Sequence, residues 1–384
     1  MDFTESPEHV MLREAVADIS GKFGHEYFVE CTRTGAKTDE LWQALSDAGF
    51  LSVNLPEEYG GGGGGMSELA IVCEEVAAQG CPLLLILVTS AICGELISRF
   101  GTPEQRAEFL PPFVAGRKMA FAITEPDAGS NSHKLSTVAT RDGDVYRLRG
   151  SKTFISGIDE SEWVLVVART GVDEQTGRGK LSLFIVDADA PGLDRTPIPV
   201  EIAAPEKQFL LFFDDVEVPA TRLLGAEHDG LHQVFFGLNP ERITGAALLN
   251  GIGRYALDKA AEYAKDREVW GVPIGMHQGV SHPLAVAKVE VELARLMTAK
   301  AAFCHDEDLA GAGEAANMAK YAAAEAALHA LDAAIQTHGG NGMTSEYGLA
   351  DMWGMTRLLR IAPVSREMIL NFVAQQVMGL PKSY

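Results

Sequence analysis

Two segments in the middle of the chain combine aromatic, hydroxyl and glycine residues. The first, FAITEPDAGSN, spans residues 121–131, and the second, GSKTFIS, spans residues 150–156. Aromatic side chains interleaved with Thr and Ser could line a flat, mostly apolar slot with a few hydrogen-bonding groups, which suits a planar ring. A third segment, LNPER, places Glu241 beside Arg242, so it offers a carboxylate that could act as a general base.

Each of these residues also has an ordinary structural explanation. Phe121 and Phe154 could pack in a β core. Glu241 could be a solvated glutamate in the first turn of a helix, where the helix dipole favours a negative charge. From the residues alone, this structural explanation of Glu241 is favoured over a role as general base.

The elements that must position these segments fall into three zones. Residues 1–118 show helical periodicity, residues 119–230 contain short β-rich runs separated by turns, and residues 231–384 are helical again. This order predicts an α+β protein with an N-terminal α-helical domain, a middle β-barrel-like domain and a C-terminal helical bundle. Long Ala-rich helices are predicted at residues 244–267, 283–305 and 314–338.

Charge and cysteine content exclude several classes of protein. The formal net charge is −21, so nucleic acid and anionic membranes are not expected as partners. The five cysteines are odd in number and show no C-x-x-C spacing, and the histidines do not cluster. We therefore predict reduced thiols, no metal site and a cytoplasmic location.

Neither the first residues nor the most apolar run predicts a membrane segment. The N-terminal sequence is acidic and lacks the apolar core of a secretory signal. The apolar run at residues 81–93 is shorter than the roughly 20 residues that span a bilayer. No membrane insertion is expected.

A run of six glycines occupies residues 60–65. It follows a strand-like stretch and precedes a helix, so it superficially matches a dinucleotide-binding loop. A homopolymer satisfies any glycine pattern, however, and no alternation of strands and helices follows it. A flexible surface loop is the favoured interpretation.

Four segments in order resemble the motifs of the acyl-CoA dehydrogenase family. Residues 121–131 resemble its T-E-P-x-A-G-S signature, and residues 150–156 its G-x-K-x-(W/F)-I-(T/S) strand. Residues 267–278 resemble its R-x-x-F-G…Q helix, and residues 336–342 its Q-x-x-G-G-x-G turn. The resemblance covers almost the whole chain and implies an α domain, a β domain and a four-helix bundle, assembled as a homotetramer.

The resemblance also implies FAD as the cofactor and assigns residues to it. Those expected to line the flavin are Phe121, Ile123, Thr124, Phe154, Ile155 and Ser156, with Ser365 and Glu367 near it. Gly129 would permit close backbone approach, and Ser130 would place a hydroxyl against FAD or the CoA arm. The residues expected to hold the pyrophosphate and adenosine across a subunit interface are Arg267, Trp270, Gln278, Gln336, Gly339 and Gly340.

The position of the catalytic base departs from the commonest family pattern. Most members carry it in a Y-E-G-T segment, whose glutamate corresponds here to Pro363. A subset that includes isovaleryl-CoA and long-chain enzymes takes the base from an L-x-x-E-R segment, which matches residues 238–242. The resemblance therefore implies Glu241 as the base, with Asn239 and Arg242 on the substrate arm.

Two further departures concern substrate binding. Proline has no N–H, so Pro363 cannot supply the backbone donor that relatives direct at the thioester carbonyl. Either one donor is missing or the chain shifts there by a residue. The stretch EIAAPEKQ, residues 201–208, replaces a polar stretch that lies near the CoA-binding mouth in relatives, so the resemblance implies a change in recognition of the acyl chain or of CoA.

The implied activity is α,β-dehydrogenation of an acyl-CoA thioester to a trans-2-enoyl-CoA, with an electron-transfer flavoprotein as acceptor. A branched or bulky acyl group would suit the displaced base. Two alternatives stay open. One is another flavin reaction on the same scaffold, as in an enoyl-CoA reductase or a flavin monooxygenase. The other is a non-catalytic homologue that binds flavin or acyl-CoA.

Overall fold

The computed structural model describes residues 4–382, except for the side chain of His133. Residues 1–3 and 383–384, which the predicted outer domains include, lie outside the described part. The first third of that part is helical, with α1 Pro7–Ser20, α2 Gly24–Thr34, α3 Asp39–Asp47, α4 Met66–Ala78, α5 Glu95–Phe100 and α6 Pro103–Val114. A π-helical segment, Ile86–Gly94, leads directly into α5. Among residues 4–382, no helix is long and apolar enough to cross a membrane.

A mainly antiparallel sheet of eight strands forms the middle of the chain. Its strands are β1 Met119–Ala122, β2 Val138–Asp142, β3 Val145–Ser156, β4 Trp163–Val172, β5 Gly179–Asp187, β6 Leu193–Ile198, β7 Gln208–Pro219 and β8 Leu223–Leu224. The spatial order is β6-β7-β3-β2-β4-β5-β8, and β1 pairs in parallel with β4. One cluster of buried apolar residues joins the sheet to α5 and α6, and a second lies within the sheet around Tyr146 and Phe184.

The last third is again helical and forms a bundle. Its elements are α7 Gly230–Asp266, a hairpin of β9 Glu268–Val269 and β10 Val272–Pro273, α8 Gln278–Asp306, α9 Ala312–His338, α10 Met352–Ile361 and α11 Arg366–Phe372. The long helices α7, α8 and α9 pack side by side, and α10 packs on α7 and α9 to complete four helices.

Helix α7 begins at Gly230, not near Thr244 as predicted. The prediction followed the Ala-rich periodicity, which starts near Thr244, whereas the helix already begins at Gly230 and continues through Pro240. A proline inside a helix costs about 3 kcal/mol. Burial of Val234, Gly237 and Pro240 offsets that cost, and the extension places Glu241 well inside the helix.

The six-glycine run is a packed turn and not the flexible loop predicted from its composition. Every amide from Gly60 to Gly64 donates to a backbone carbonyl within residues 52–57. A Cβ added at Gly61 would lie 2.2 Å from the carbonyl oxygen of Leu55. The absence of side chains is therefore a steric requirement of this turn.

A buried ion pair fastens the segment after β1 to strand β3. The Nζ atom of Lys152 lies 2.9 Å from Oε1 of Glu125, and both side chains are almost completely buried. Lys152 also donates to the carbonyl oxygen of Ile123 at 2.9 Å. Glu125 accepts three further hydrogen bonds, from the amide and hydroxyl of Ser136 and from the amide of Thr137.

These contacts determine the charge state of Glu125. Burial alone would raise the pKa of this carboxyl group, but the Lys152 ammonium and the Ser136 donors lower the pKa to about 2. The carboxylate therefore stabilises the fold fully above its unfolded pKa of about 4.5, and the contribution is lost as the pH falls towards 2.

We predict that Lys152→Met destabilises the protein by about 3–5 kcal/mol, because it leaves the Glu125 carboxylate buried without its counter-charge. Urea denaturation at neutral pH measures the loss. Lys288→Met is the matched control, since Lys288 forms an exposed ion pair with Glu292 and its loss should cost less than about 1 kcal/mol. Equal effects of the two substitutions would contradict the prediction.

Candidate functional site

The two motif segments meet where β1 ends beside β3. The amide of Thr153 donates to the carbonyl oxygen of Thr124 at 2.9 Å. The pairing of β3 with β7 shifts register between Lys152 and Ile155, and Phe154 adopts a positive φ of 57°. A bulge of this kind redirects side chains: Lys152 points into the core, whereas the Phe154 ring is 60% exposed.

The polar groups around this ring suit the edge of a flat ligand. Thr124 is half-buried, and the hydroxyl of Ser156 donates to Oε1 of Gln208 at 3.0 Å. Gly129 and Ser130 are exposed, and a Cβ at Gly129 would meet nothing within 4 Å. An uncovered aromatic ring flanked by hydroxyls and an open glycine fits the flavin of FAD, which needs an apolar face and a few polar contacts.

The remaining residues predicted around the flavin differ in exposure. Phe121 and Ile123 are half-buried, so part of each is accessible. Ile155 is buried in the sheet core, which leaves its backbone for contact with a ligand.

Sequence reasoning missed Glu125, Lys152 and Gln208. The first two stood inside the quoted motifs, and their opposite charges were the signal that could have paired them.

Glu241 lies in the first half of α7, a helix that packs against the π-helical segment and α9. Burial raises the pKa of its carboxyl group to about 8, although the positive charges of Arg242 and Lys320 partly counteract this effect. Cys93 of the π-helical segment is close enough for Glu241 to help raise its thiol pKa, which burial raises first. A carboxyl group whose pKa lies near neutrality is well suited to accept a proton from carbon.

The neighbours of Glu241 on α7 form a polar pair. The Nη1 atom of Arg242 donates to Oδ1 of Asn239 at 2.7 Å. Arg242 is buried, and its Nε atom has no hydrogen-bond partner among the described residues. An orphaned guanidinium donor beside a candidate base is a suitable contact for a carbonyl or phosphate oxygen.

The segment that carries Pro363 lies against α9. Lys320, which sequence reasoning missed, is buried and donates from Nζ to the carbonyl oxygen of Val364 at 2.6 Å. Ser365 caps α11 by accepting a hydrogen bond from the amide of Met368 at 3.3 Å. Glu367 is exposed in the first turn of α11.

The other predicted cofactor residues gather at the far end of the bundle. Arg267 ends α7, Gln278 begins α8, and Gln336 lies in the last turn of α9. The rings of Tyr263 and His338 stack 4.2 Å apart and join the ends of α7 and α9. All six residues predicted to hold the pyrophosphate and adenosine are exposed: Arg267, Trp270, Gln278, Gln336, Gly339 and Gly340.

The structure thus brings the predicted residues into two sets. The first set surrounds Phe154, at the junction of β1 and β3, and the second surrounds Trp270, a residue that is 88% exposed. Glu241 and Arg267 are 26 residues apart along α7, which corresponds to about 39 Å.

Comparisons with known proteins agree with this architecture. Family models described as the N-terminal, middle and C-terminal domains of acyl-CoA dehydrogenase match residues 6–117, 120–216 and 228–378. The acyl-CoA dehydrogenase FadE12 of Mycobacterium tuberculosis is 56% identical over 384 residues, which cover 100% of this chain and 99% of that protein.

Solved structures show the same fold. A glutaryl-coenzyme A dehydrogenase in complex with glutaryl-CoA is 30% identical, with a TM-score of 0.94 and coverage of 100% of this chain and 98% of that one. Butyryl-CoA dehydrogenase from Megasphaera elsdenii is 29% identical, with a TM-score of 0.92 and coverage of 98% and 100%.

The predicted fold class and cofactor are confirmed by these matches. The order of helices, sheet and helical bundle is that of the structural relatives, and the accessible ring of Phe154 with its neighbouring hydroxyls suits a flavin. The chain therefore belongs to the acyl-CoA dehydrogenase family and is an FAD-dependent oxidoreductase.

Proposed function

We propose that this acyl-CoA dehydrogenase uses Glu241 as its catalytic base and belongs to the subset with the base in an L-x-x-E-R segment. The observation that carries the proposal is the position of Glu241, a partly buried carboxyl group with a pKa raised to about 8 beside the orphaned donor of Arg242. Position 363, where relatives with a Y-E-G-T segment have their glutamate, is a proline. Glu241 is thus the carboxylate that supports the role best.

The reaction converts an acyl-CoA thioester into a trans-2-enoyl-CoA. FAD, when bound, supplies the acceptor for the β-hydrogen, which leaves carbon as a hydride. Glu241 would take the α-proton on a carboxylate oxygen, so that the electron pair of the α-C–H bond forms the double bond. Arg242 and Asn239 would hold the thioester arm, and exclusion of water around Glu241 would keep its proton affinity high.

Within this proposal, the residues around Phe154 hold the flavin. Phe121, Ile123, Phe154 and the backbone of Ile155 would provide the apolar contacts. Hydrogen bonds would come from Thr124, Ser130, Ser156 and Ser365, with Gly129 allowing close approach and Glu367 near the ring. The bulge in β3 supports this assignment because it turns Phe154 out of the core.

The second set of residues would hold the pyrophosphate and adenosine of a neighbouring subunit's FAD. The separation of about 39 Å between Glu241 and Arg267 along α7 supports this arrangement, because a flavin that reacts beside Glu241 would lie far from the second set of the same chain. An apolar stripe on α8 offers the contact surface. Its exposed members are Val286, Val289, Leu293, Leu296 and Phe303, spaced by three, four or seven residues as in helix pairing. We propose a homotetramer.

Four further assignments belong to the same proposal. The domains would be residues 1–118, 119–230 and 231–384. An electron-transfer flavoprotein would reoxidise the flavin, and the enzyme would act in the cytoplasm. The displaced base favours a branched or bulky acyl group.

The altered stretch at residues 201–208 would affect recognition of the acyl chain or of CoA. In this stretch, Ile202 packs against Gly354 of α10, near the proposed CoA mouth.

We predict that Glu241→Gln lowers the rate of flavin reduction by acyl-CoA about 10²–10⁴-fold, because the amide cannot accept the α-proton. Anaerobic stopped-flow measurement of flavin bleaching with short, branched, medium and long acyl-CoAs provides the test. The wild-type rate should rise with pH as Glu241 ionises, towards a plateau above about pH 8.

The matched control is Glu262→Gln, an exposed glutamate on the same helix, which should bleach at the wild-type rate. Bleaching of Glu241→Gln at the wild-type rate would refute the proposed base. If no acyl-CoA bleached the FAD-loaded wild type, the reductase, monooxygenase or non-catalytic alternatives would replace the proposal.

We also predict that Leu293→Arg reduces the native mass and the FAD content together, because it places a charge in the centre of the α8 stripe and separates the two sets of cofactor residues. Sedimentation velocity and the ratio of flavin to protein absorbance measure both effects. Met11→Arg, at a position 68% exposed on α1, should change neither. A monomeric wild type with full FAD content would overturn the proposed assembly.

A further inference from the structure

We propose that Lys320 is a positioning residue for the dehydrogenation. Its buried ammonium group would fasten residues 362–365 to α9 and favour the ionised form of the Glu241 carboxylate. The inference rests on the proposed role of Glu241 as the base and adds a residue that acts through it.

Burial without a close counter-charge is the first argument. Lys320 is only 1% exposed, and none of the described carboxylates forms a salt bridge with it. The contact that the structure shows is a hydrogen bond of 2.6 Å from Nζ to the carbonyl oxygen of Val364. One carbonyl compensates poorly for the desolvation of an ammonium group, so a methionine of similar volume would be expected to serve a purely structural purpose better.

The second argument concerns the charges around Glu241. Two cations act on this carboxyl group, Arg242 on α7 and Lys320 on α9. The thiol of Cys93 on the π-helical segment also lies near it, but the raised pKa of the thiol leaves it uncharged. The guanidinium of Arg242 is engaged with Asn239, and Glu367 of α11 also acts on Lys320. Lys320 is therefore the cation that reaches Glu241 from outside its own helix.

The two ionisable groups shift each other in opposite directions. Burial lowers the pKa of Lys320, and the Glu241 carboxylate partly restores it. Burial raises the pKa of Glu241 to about 8, and Arg242 and Lys320 partly reverse that rise. Removing the ammonium charge should consequently make Glu241 harder to ionise, and the base would be active only at higher pH.

The third argument is the place of the Val364 carbonyl. It lies in the turn between α10 and α11 and follows Pro363, which has no N–H to donate. Ser365, next in sequence, caps α11. A single ammonium group thus fixes this turn and acts on the carboxylate of α7, so both parts of the site keep their relation to each other.

The experiment compares Lys320→Met, Lys320→Gln and Lys320→Arg by the pH dependence of anaerobic flavin reduction. Met and Gln remove the charge, and Gln keeps a donor for the Val364 carbonyl. We expect both to raise the apparent pKa of the reductive rate by about one unit. The rate should fall about tenfold below the pKa and approach the wild-type rate above it. Lys320→Arg keeps the cation and should restore the wild-type profile.

The outcomes separate this inference from the proposed base. If the Lys320 variants were slower by the same factor at every pH, with an unchanged apparent pKa, the lysine would be purely structural and the inference would be overturned. The proposed base would still stand if Glu241→Gln is inactive. Active Glu241→Gln would instead refute the proposed function. FAD content and melting temperature report folding, and if Lys320→Met does not fold, the Gln and Arg profiles decide. Lys22→Met, an exposed lysine, serves as control.

Discussion

The ion pair between Glu125 and Lys152 is the interaction on which the proposed flavin site depends. A charge is expensive to bury unless it is paired and hydrogen-bonded, and here each partner has several bonds. Because Glu125 belongs to the segment after β1 and Lys152 to β3, the pair fixes the two motif segments to each other. With Lys152 directed into the core, the bulge that follows turns Phe154 outwards.

Burial and counter-charge also set the pKa of Glu241, but there burial has the larger effect. Glu125 has its counter-charge at 2.9 Å, and its pKa is lowered to about 2. Glu241 has cations nearby but is dominated by burial, and its pKa is raised to about 8. The distance of the counter-charges and the depth of burial thus distinguish the structural task of Glu125 from the proposed chemical task of Glu241.

The length of α7 links the catalytic region to the proposed assembly. Its first half carries Glu241 and packs on the N-terminal helices, and its last residues reach the exposed set around Trp270. The helix is rigid and about 55 Å long, from 37 residues at about 1.5 Å each. The proposed completion of the site by a second subunit rests on this separation between Glu241 and the set around Trp270.

The sequence alone determined the order of domains, the family and most of the proposed site. Four motifs indicate them, and each motif is a short continuous segment that can be recognised without the tertiary structure. Local patterns could not decide interactions between distant residues. Glu125 and Lys152 are 27 positions apart, Ser156 and Gln208 are 52 apart, and Lys320 and Val364 are 44 apart. The Ala-rich pattern suggested a helix that begins near Thr244, and six glycines suggested flexibility, because such patterns describe isolated segments. Only the tertiary structure showed that burial keeps α7 continuous and that Leu55 leaves no room for a side chain at Gly61.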